Sequence, residues 1–283
     1  MTPLALTLIL VSAAMHASWN LLAKRAKGGA AFVWLTACWA ALLYAPLVIA
    51  YSLWQRPTLS GLQLLFLIGT IVLHTGYFVS LQRGYQHGDL SLVYPLARGS
   101  GPLLATLGAV ILLGERPSWL ALTGLLLIAG NVFLLTGGLN STAGRWAVRY
   151  GLLTGLFIAS YTLWDKVAVS ALLIPPLLYD WASNVGRSIL LAPLALRRRQ
   201  EVQALWRSHR REVLGVAVLS PLSYLLILFV MTSTPVHYVA PAREISILIA
   251  ALLGAGALAE GDAKRRLLGA VGMVLGVLAL ALG

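Results

Sequence analysis

Long apolar runs, broken at intervals by short clusters of charge, glycine and proline, set the rhythm of this chain. Runs long enough to cross about 30 Å of hydrocarbon recur at 3–23, 31–53, 61–83, 90–113, 117–137, 146–168, 173–195, 212–231, 236–258 and 265–282. Each predicts a membrane-spanning helix. Ten such spans with short connections leave almost no room for a soluble domain, so an all-α integral membrane protein with ten transmembrane helices is expected. Composition agrees: 59% of residues are hydrophobic, 11% are charged and mean hydropathy is +0.84. A soluble domain keeps about 25% charged residues to stay solvated.

The net charge of +12 does not point to nucleic acid, because no solvated basic domain is present to carry such a surface. On a membrane protein basic residues report loop orientation. A single cysteine, Cys38, lies in an apolar span, which excludes an internal disulfide and makes redox chemistry unexpected. The first eighteen residues end like a signal peptide but lack its basic leading region, and they read as the first membrane helix.

The chain repeats itself. ASWNLLAKRA (17–26) lies on ASYTLWDKVA (159–168) without a gap. ARGSGPLLATLGAVILLGE (97–115) lies on AREISILIAALLGAGALAE (242–260), which places Arg98 on Arg243 and Glu115 on Glu260. Pro95 and Pro241 precede the two arginines one place out of register, and Gly124 and Gly269 continue the match. The joint falls in GGLNSTAGR (137–145), a cluster of loop composition. Two five-helix repeats follow, 1–138 and 145–283. An odd helix number turns the second repeat upside down, the inverted-repeat plan of many transporters. Basic residues crowd one set of loops, with Arg197, Arg198, Arg199, Arg207, Arg210 and Arg211 in a single connection, while the other side has little beyond Arg56 and Arg116. The positive-inside rule then places 196–211 in the cytoplasm and both termini outside.

HASWNLLAK in the first helix, the LLGERPS turn (112–118) and its counterpart ALAEGDA (257–263) resemble the EamA-type transporters of the drug/metabolite transporter superfamily. The resemblance covers nearly the whole chain. It implies a carrier of small metabolites through a cavity between the halves, in a multi-pass protein of the bacterial cytoplasmic (inner) membrane, with no cofactor and no metal. A monomer is expected, with a dimer as the alternative. The family's usual arrangement has both termini inside, which the loop charges oppose. Small multidrug members of the superfamily carry an acid in their first helix. Here that helix has His16 and Asn20 but no acid, and Asp165 lies only near the end of the sixth. That disfavours a proton-driven exporter of cationic drugs.

An ionisable side chain inside the bilayer costs about 2.5–3.5 kcal/mol on insertion scales, so each one needs an account. Arg98 and Arg243, equivalent in the two repeats, are the leading candidates for substrate or gating contact. Their planar, permanently charged forks suit carboxylate or phosphate oxygens. Tyr94 belongs to the same VYPLARG stretch as Arg98. Pro95 and Pro241 each remove a backbone donor, and Gly99 and Gly101 allow close approach. Glu244 could reach Arg98 across the cavity or carry a proton, with pairing the stronger reading. His16 and Asn20 share one helix face by their spacing of four. His74 lies mid-span, where a histidine bonded to a backbone carbonyl competes with a functional one, and Trp19 lies off the His16 face as a packing residue. Asp180, Asn184 and Arg187 form a polar stripe down an apolar helix, which must face protein or water.

Membrane-embedded catalysis would need a nucleophile–base pair or a metal constellation. The sequence has no HExxH, no phosphate-cradling glycine loop and no GxSxG. A channel would need a ring of pore charge or a selectivity loop. The expectation is therefore a secondary transporter of a small anionic or zwitterionic metabolite. An exporter of amphipathic drugs or cations is the alternative, and an embedded enzyme the remote one.

Overall fold

Inside a bilayer a backbone amide has no water to bond, so a spanning segment must close its hydrogen bonds on itself as a helix. The computed structural model describes residues 1–26, 29–87, 90–136, 145–246, 249 and 263–283. The helices in these residues are α1 (Pro3–Ala26), α2 (Gly29–Gln55), α3 (Gly61–His87), α4 (Leu90–Leu113), α5 (Trp119–Thr136), α6 (Arg145–Ser170), α7 (Pro176–Arg197), α8 (Arg199–Met231), α9 (Val236–Ala242) and α10 (Ala263–Leu282). There is no strand among the described residues. Five helices are long and apolar enough to cross a membrane by length and composition: Pro3–Ala23, Gly29–Gln55, Gly61–Leu81, Val148–Ser170 and Arg199–Met231.

Local chemistry sets the helix ends. Pro175 and Pro176 open α7, and Pro235 precedes α9, where the missing proline N–H is no loss. Gly114 stops α4 with a positive φ of 66°, a conformation glycine adopts without strain. Two elements depart from the sequence expectation. The eighth helix starts at Arg199 rather than near 212, and it breaks at His209 (φ −130°, ψ 31°). The ninth is regular only to Ala242 and then tightens. Pro241 has no N–H to give, and the N–H groups of Glu244 and Ser246 bond the carbonyls three residues back, of Pro241 and Arg243. Residues 247, 248 and 250–258 of the expected span, and Glu260 after it, lie outside the described residues.

The packing has the symmetry of the sequence. α1 packs on α8 and α3 on α6, and these two interfaces exchange when each helix of one half is replaced by its counterpart in the other. α2 meets its own counterpart α7, and α5 meets α10. Between α2 and α7 the indole of Trp34 donates to the Ser188 carbonyl at 3.0 Å, and that of Trp181 donates to the Ala41 carbonyl at 2.8 Å. Trp181 follows Trp34 by as many residues as Ser188 follows Ala41. The two bonds are one contact made twice across a pseudo-two-fold axis, as isologous interfaces require.

The apolar core has two poles. One joins Ala5, Ile174, Met231 and Leu280, with Met1, Leu59 and Leu172 packed on it. Both chain ends therefore lie at the same pole. The other pole joins Ala26, Ala31, Phe32, Leu205 and Val213 beside the basic 197–211 stretch. Exposed Trp54 and Trp119, at 80% and 85%, sit at helix ends as interfacial anchors do. Trp164 instead stacks on the Phe66 ring at 4.1 Å and donates to the Phe66 carbonyl.

Lipid gives helices no hydrophobic reason to associate, so small residues that let backbones approach carry the packing. Gly124 and Gly276 bring α5 and α10 together so closely that a Cβ on Gly276 would lie 2.7 Å from Ile128 and 3.0 Å from the Gly124 carbonyl oxygen. The Gly272–Gly276 pair, spaced as small residues at a close helix contact are, thus joins the two halves. Gly276→Leu is expected to overpack this seam at about 1–3 kcal/mol and lower the unfolding temperature of purified protein in detergent. Exposed Leu275→Ala, one residue away, is expected to leave it nearly unchanged.

Candidate functional site

A proline-tightened turn and an uninterrupted helix present the two repeat-related arginines differently. α4 runs through Arg98 without a break. Gly101 serves its contact with α6, where an added Cβ would press on Ile158. The Arg98 guanidinium is buried and engaged on three sides. Its Nη1 lies 3.4 Å from Glu244 Oε1, and its Nη2 donates to His16 Nε2 at 2.8 Å and to Ser246 Oγ at 3.5 Å. Because a guanidinium can only donate, His16 accepts through Nε2 and carries its proton on Nδ1. Arg98 thereby ties α1 and α4 of the first half to the segment after α9 in the second.

Arg243 has no carboxylate within ion-pair distance among the described residues. Its guanidinium lies 5.4 Å from the centre of the Tyr224 ring. It faces a cavity of about 590 Å³, counted out to its mouth, between the halves. His16 and Trp19 from α1, His74, Tyr77 and Phe78 from α3, and Arg98 from α4 supply one wall. Tyr161 from α6, the stripe Asp180, Asn184 and Arg187 from α7, and Ser220, Pro221, Ser223 and Tyr224 from α8 supply the other. Arg187, like Arg243, has no carboxylate at ion-pair distance, and it stacks 4.6 Å from the Phe78 ring centre. Its Nε and Trp19 Nε1 are buried without a partner. A smaller recess of about 190 Å³ is lined by Ser12, Ala13, His16, Arg98 and Arg243.

The sequence-based candidates sort accordingly. Arg98, Arg243, His16, Trp19, His74, Asp180 and Asn184 share the cavity. Trp19, read as packing, lines it while meeting His16 edge-on at 4.7 Å. Asn20 turns its amide back onto the His16 carbonyl at 2.7 Å. Glu244 lies behind Arg98 rather than on the wall. The Tyr94 side chain lies outside the described residues.

Sequence reasoning passed over the carboxylate that holds most of this wall in place. Asp165 is fully buried on α6. Tyr179 donates to its Oδ1 at 2.6 Å, and Tyr224 and His74 both bond Oδ2, the latter at 3.0 Å. The partner of His74 is thus this carboxylate and not a backbone carbonyl. One acid fixes α3, α7 and α8 around α6. The next residue, Lys166, donates to the Met231 and Thr234 carbonyls at 2.7 and 3.1 Å and so caps the end of α8. The only sequence signal for this hub was an acid inside an apolar span.

A second clasp closes one end. Glu115, in the turn after α4, accepts the Val236 and His237 N–H groups at 2.7 and 3.0 Å and His237 Nδ1 at 2.6 Å. It caps α9 of the opposite half, where negative charge is favoured. Burial pushes its carboxyl up, but the side-chain bond from His237 and the two backbone N–H donors outweigh that and hold it below the ordinary 4.5.

The model of the EamA-like transporter family matches residues 3–137 and 145–282, once for each half. No curated protein matches. Among solved structures, one described as "Crystal structure of protein" is 14% identical with a TM-score of 0.75, over 99% of this chain and 97% of that one. At that identity the likeness shows the shared fold alone.

Asp165→Ala is expected to leave three buried donors without an acceptor, at about 1–3 kcal/mol each, and to lower the unfolding temperature more than Asp165→Asn, which keeps an acceptor. Glu115 has a folded pKa below its unfolded value. It stabilises the fold above pH 4.5, and that contribution is lost as pH falls through the lower, folded value. A pH series of thermal unfolding is expected to show this acid loss in the wild type and a flatter profile in Glu115→Gln.

Proposed function

This chain belongs to the EamA-like transporter family, within the drug/metabolite transporter superfamily, and is a multi-pass membrane transporter; from that premise we propose that it moves a small anionic or zwitterionic metabolite by alternating access. The cavity between the halves is the binding site. The observation that carries this reading is that Arg187 and Arg243 both line the cavity with no carboxylate at ion-pair distance among the described residues. Two guanidinium groups lining one cavity repel a cationic drug and attract a carboxylate or phosphate. Asp180 on the same wall offers an acceptor to an ammonium group, which favours a zwitterion. Trp19, Tyr77, Phe78, Tyr161 and Tyr224 surround the charges with aromatic faces, which suits an apolar body on the solute.

The two repeats, 1–138 and 145–283, act as two inverted five-helix bodies whose ten helices cross the membrane. They rock about the cavity. The reciprocal indole bonds between α2 and α7 support that symmetry. The monomer is the working unit, because both walls of the site come from one chain. The loop charges favour placing the basic pole in the cytoplasm of a bacterial cell, with the protein in its inner membrane.

A thermal-shift screen of purified protein against small metabolites, followed by binding of the best hit, tests this. Arg187→Ala and Arg243→Ala are each expected to weaken binding about ten- to a hundredfold, the worth of a charge-assisted hydrogen bond. Unchanged affinity in both variants rules out the arginine site. Arg98→Ala is expected to lower thermal stability first, since it strands Glu244.

A further inference from the structure

The length of α8 exceeds what a membrane requires. Its 33 residues span about 50 Å at 1.5 Å per residue, against a hydrocarbon core of about 30 Å. The break at His209 divides it, and the residues after the break suffice to cross. The stretch 199–208 is therefore surplus to spanning and lies at the basic pole. Val202, Leu205 and Trp206, spaced to share one helical face, pack onto the ends of α1 and α2. Trp206 stacks on Trp39 at 4.9 Å and 11°. That face is anchored to protein.

The residues on both sides of the break are strongly basic. Arg199, Arg207, Arg210 and Arg211 are exposed and have no carboxylate at ion-pair distance among the described residues. Arg198 alone is paired, with Glu201 at 3.6 Å on the surface. Just before them, Leu194 and Leu196 on the last turn of α7 are 39% and 68% exposed. Guanidinium forks match phosphate oxygens, and exposed leucines one turn away match acyl chains. We propose that this stretch is a binding platform for anionic phospholipid headgroups, held by Arg199, Arg207, Arg210 and Arg211. The occupant is a lipid rather than free phosphate, because the arginines stand at the edge of the apolar surface. The inference is independent of the transport reading.

The test titrates the full chain, in neutral detergent, with phosphatidylglycerol and follows tryptophan fluorescence. Phosphatidylcholine and inorganic phosphate form the comparison arms. Saturable binding is expected for phosphatidylglycerol alone, and it is expected to weaken as salt rises. Replacing the four arginines by glutamine is expected to cost roughly fivefold in affinity per arginine. Glutamine at Arg56 and Arg116, near the opposite pole, is expected to change nothing. Equal binding by the fourfold variant overturns the proposal, and so does equal response to phosphatidylcholine. Competition by inorganic phosphate reassigns the site to free anions and overturns the lipid assignment. If the fourfold variant fails to fold, the wild type still decides, since salt-insensitive binding of phosphatidylglycerol overturns the platform.

Discussion

A charge inside a bilayer must find its partner in the protein, because neither lipid nor water will supply one there. That constraint organises this molecule. Asp165 answers it by drawing two tyrosine hydroxyls and an imidazole from three helices onto one carboxylate. Arg98 answers it with a carboxylate, an imidazole and a serine. The first hub ties α3, α7 and α8 to α6, and the second ties α1 and α4 to the segment after α9. The arginines without such partners, Arg187 and Arg243, remain where a cavity keeps them open to solute.

Duplicated sequence has not produced duplicated roles. Arg98 and Arg243 occupy matching positions and both line the cavity, yet Arg98 is tied to a carboxylate, an imidazole and a serine, while Arg243 has no carboxylate at ion-pair distance among the described residues. The difference comes from the backbone. α4 continues through its arginine, whereas α9 tightens after Pro241, where Arg243 and the Glu244 beside it follow. Glu244 then serves Arg98 of the other half. One acid beside one arginine, with none beside its repeat-mate, breaks the symmetry where the two halves meet at the cavity.

The helices were largely legible in the sequence because lipid makes the apolar run itself the signal. Runs at 61–83 and 90–113 place α3 and α4 closely. The break at His209 was not legible, since nothing in RSHRRE is a helix breaker. Part of the site was readable as well: the stripe of Asp180, Asn184 and Arg187 must face something polar, and it faces the cavity. The Asp165 hub escaped because its donors, residues 74, 179 and 224, sit on three other helices and gather only once those helices pack on α6, the first of them from the other half. The Gly272–Gly276 seam had the same difficulty. Its spacing announced close packing but not the helix it would meet.

The contacts that hold the halves together also bear on how they could move apart. Some are steric, such as Gly124 on Gly276, and these survive small rotations about the point of contact. Others are directional: Glu115 on α9, and His74 on Asp165. A hydrogen bond to a buried charge tolerates little change of angle or distance, so rocking at that end must break it and leave charge exposed. Water entering the opening gap would meet Glu115, which lies in a turn, more readily than Asp165, which is fully enclosed. The Glu115 clasp is therefore the one better placed to open, while Asp165, Tyr179 and Tyr224 stay together in one half and only the His74 bond crosses to the other. The glycine seam between α5 and α10 is left as the place where the halves can turn without losing contact.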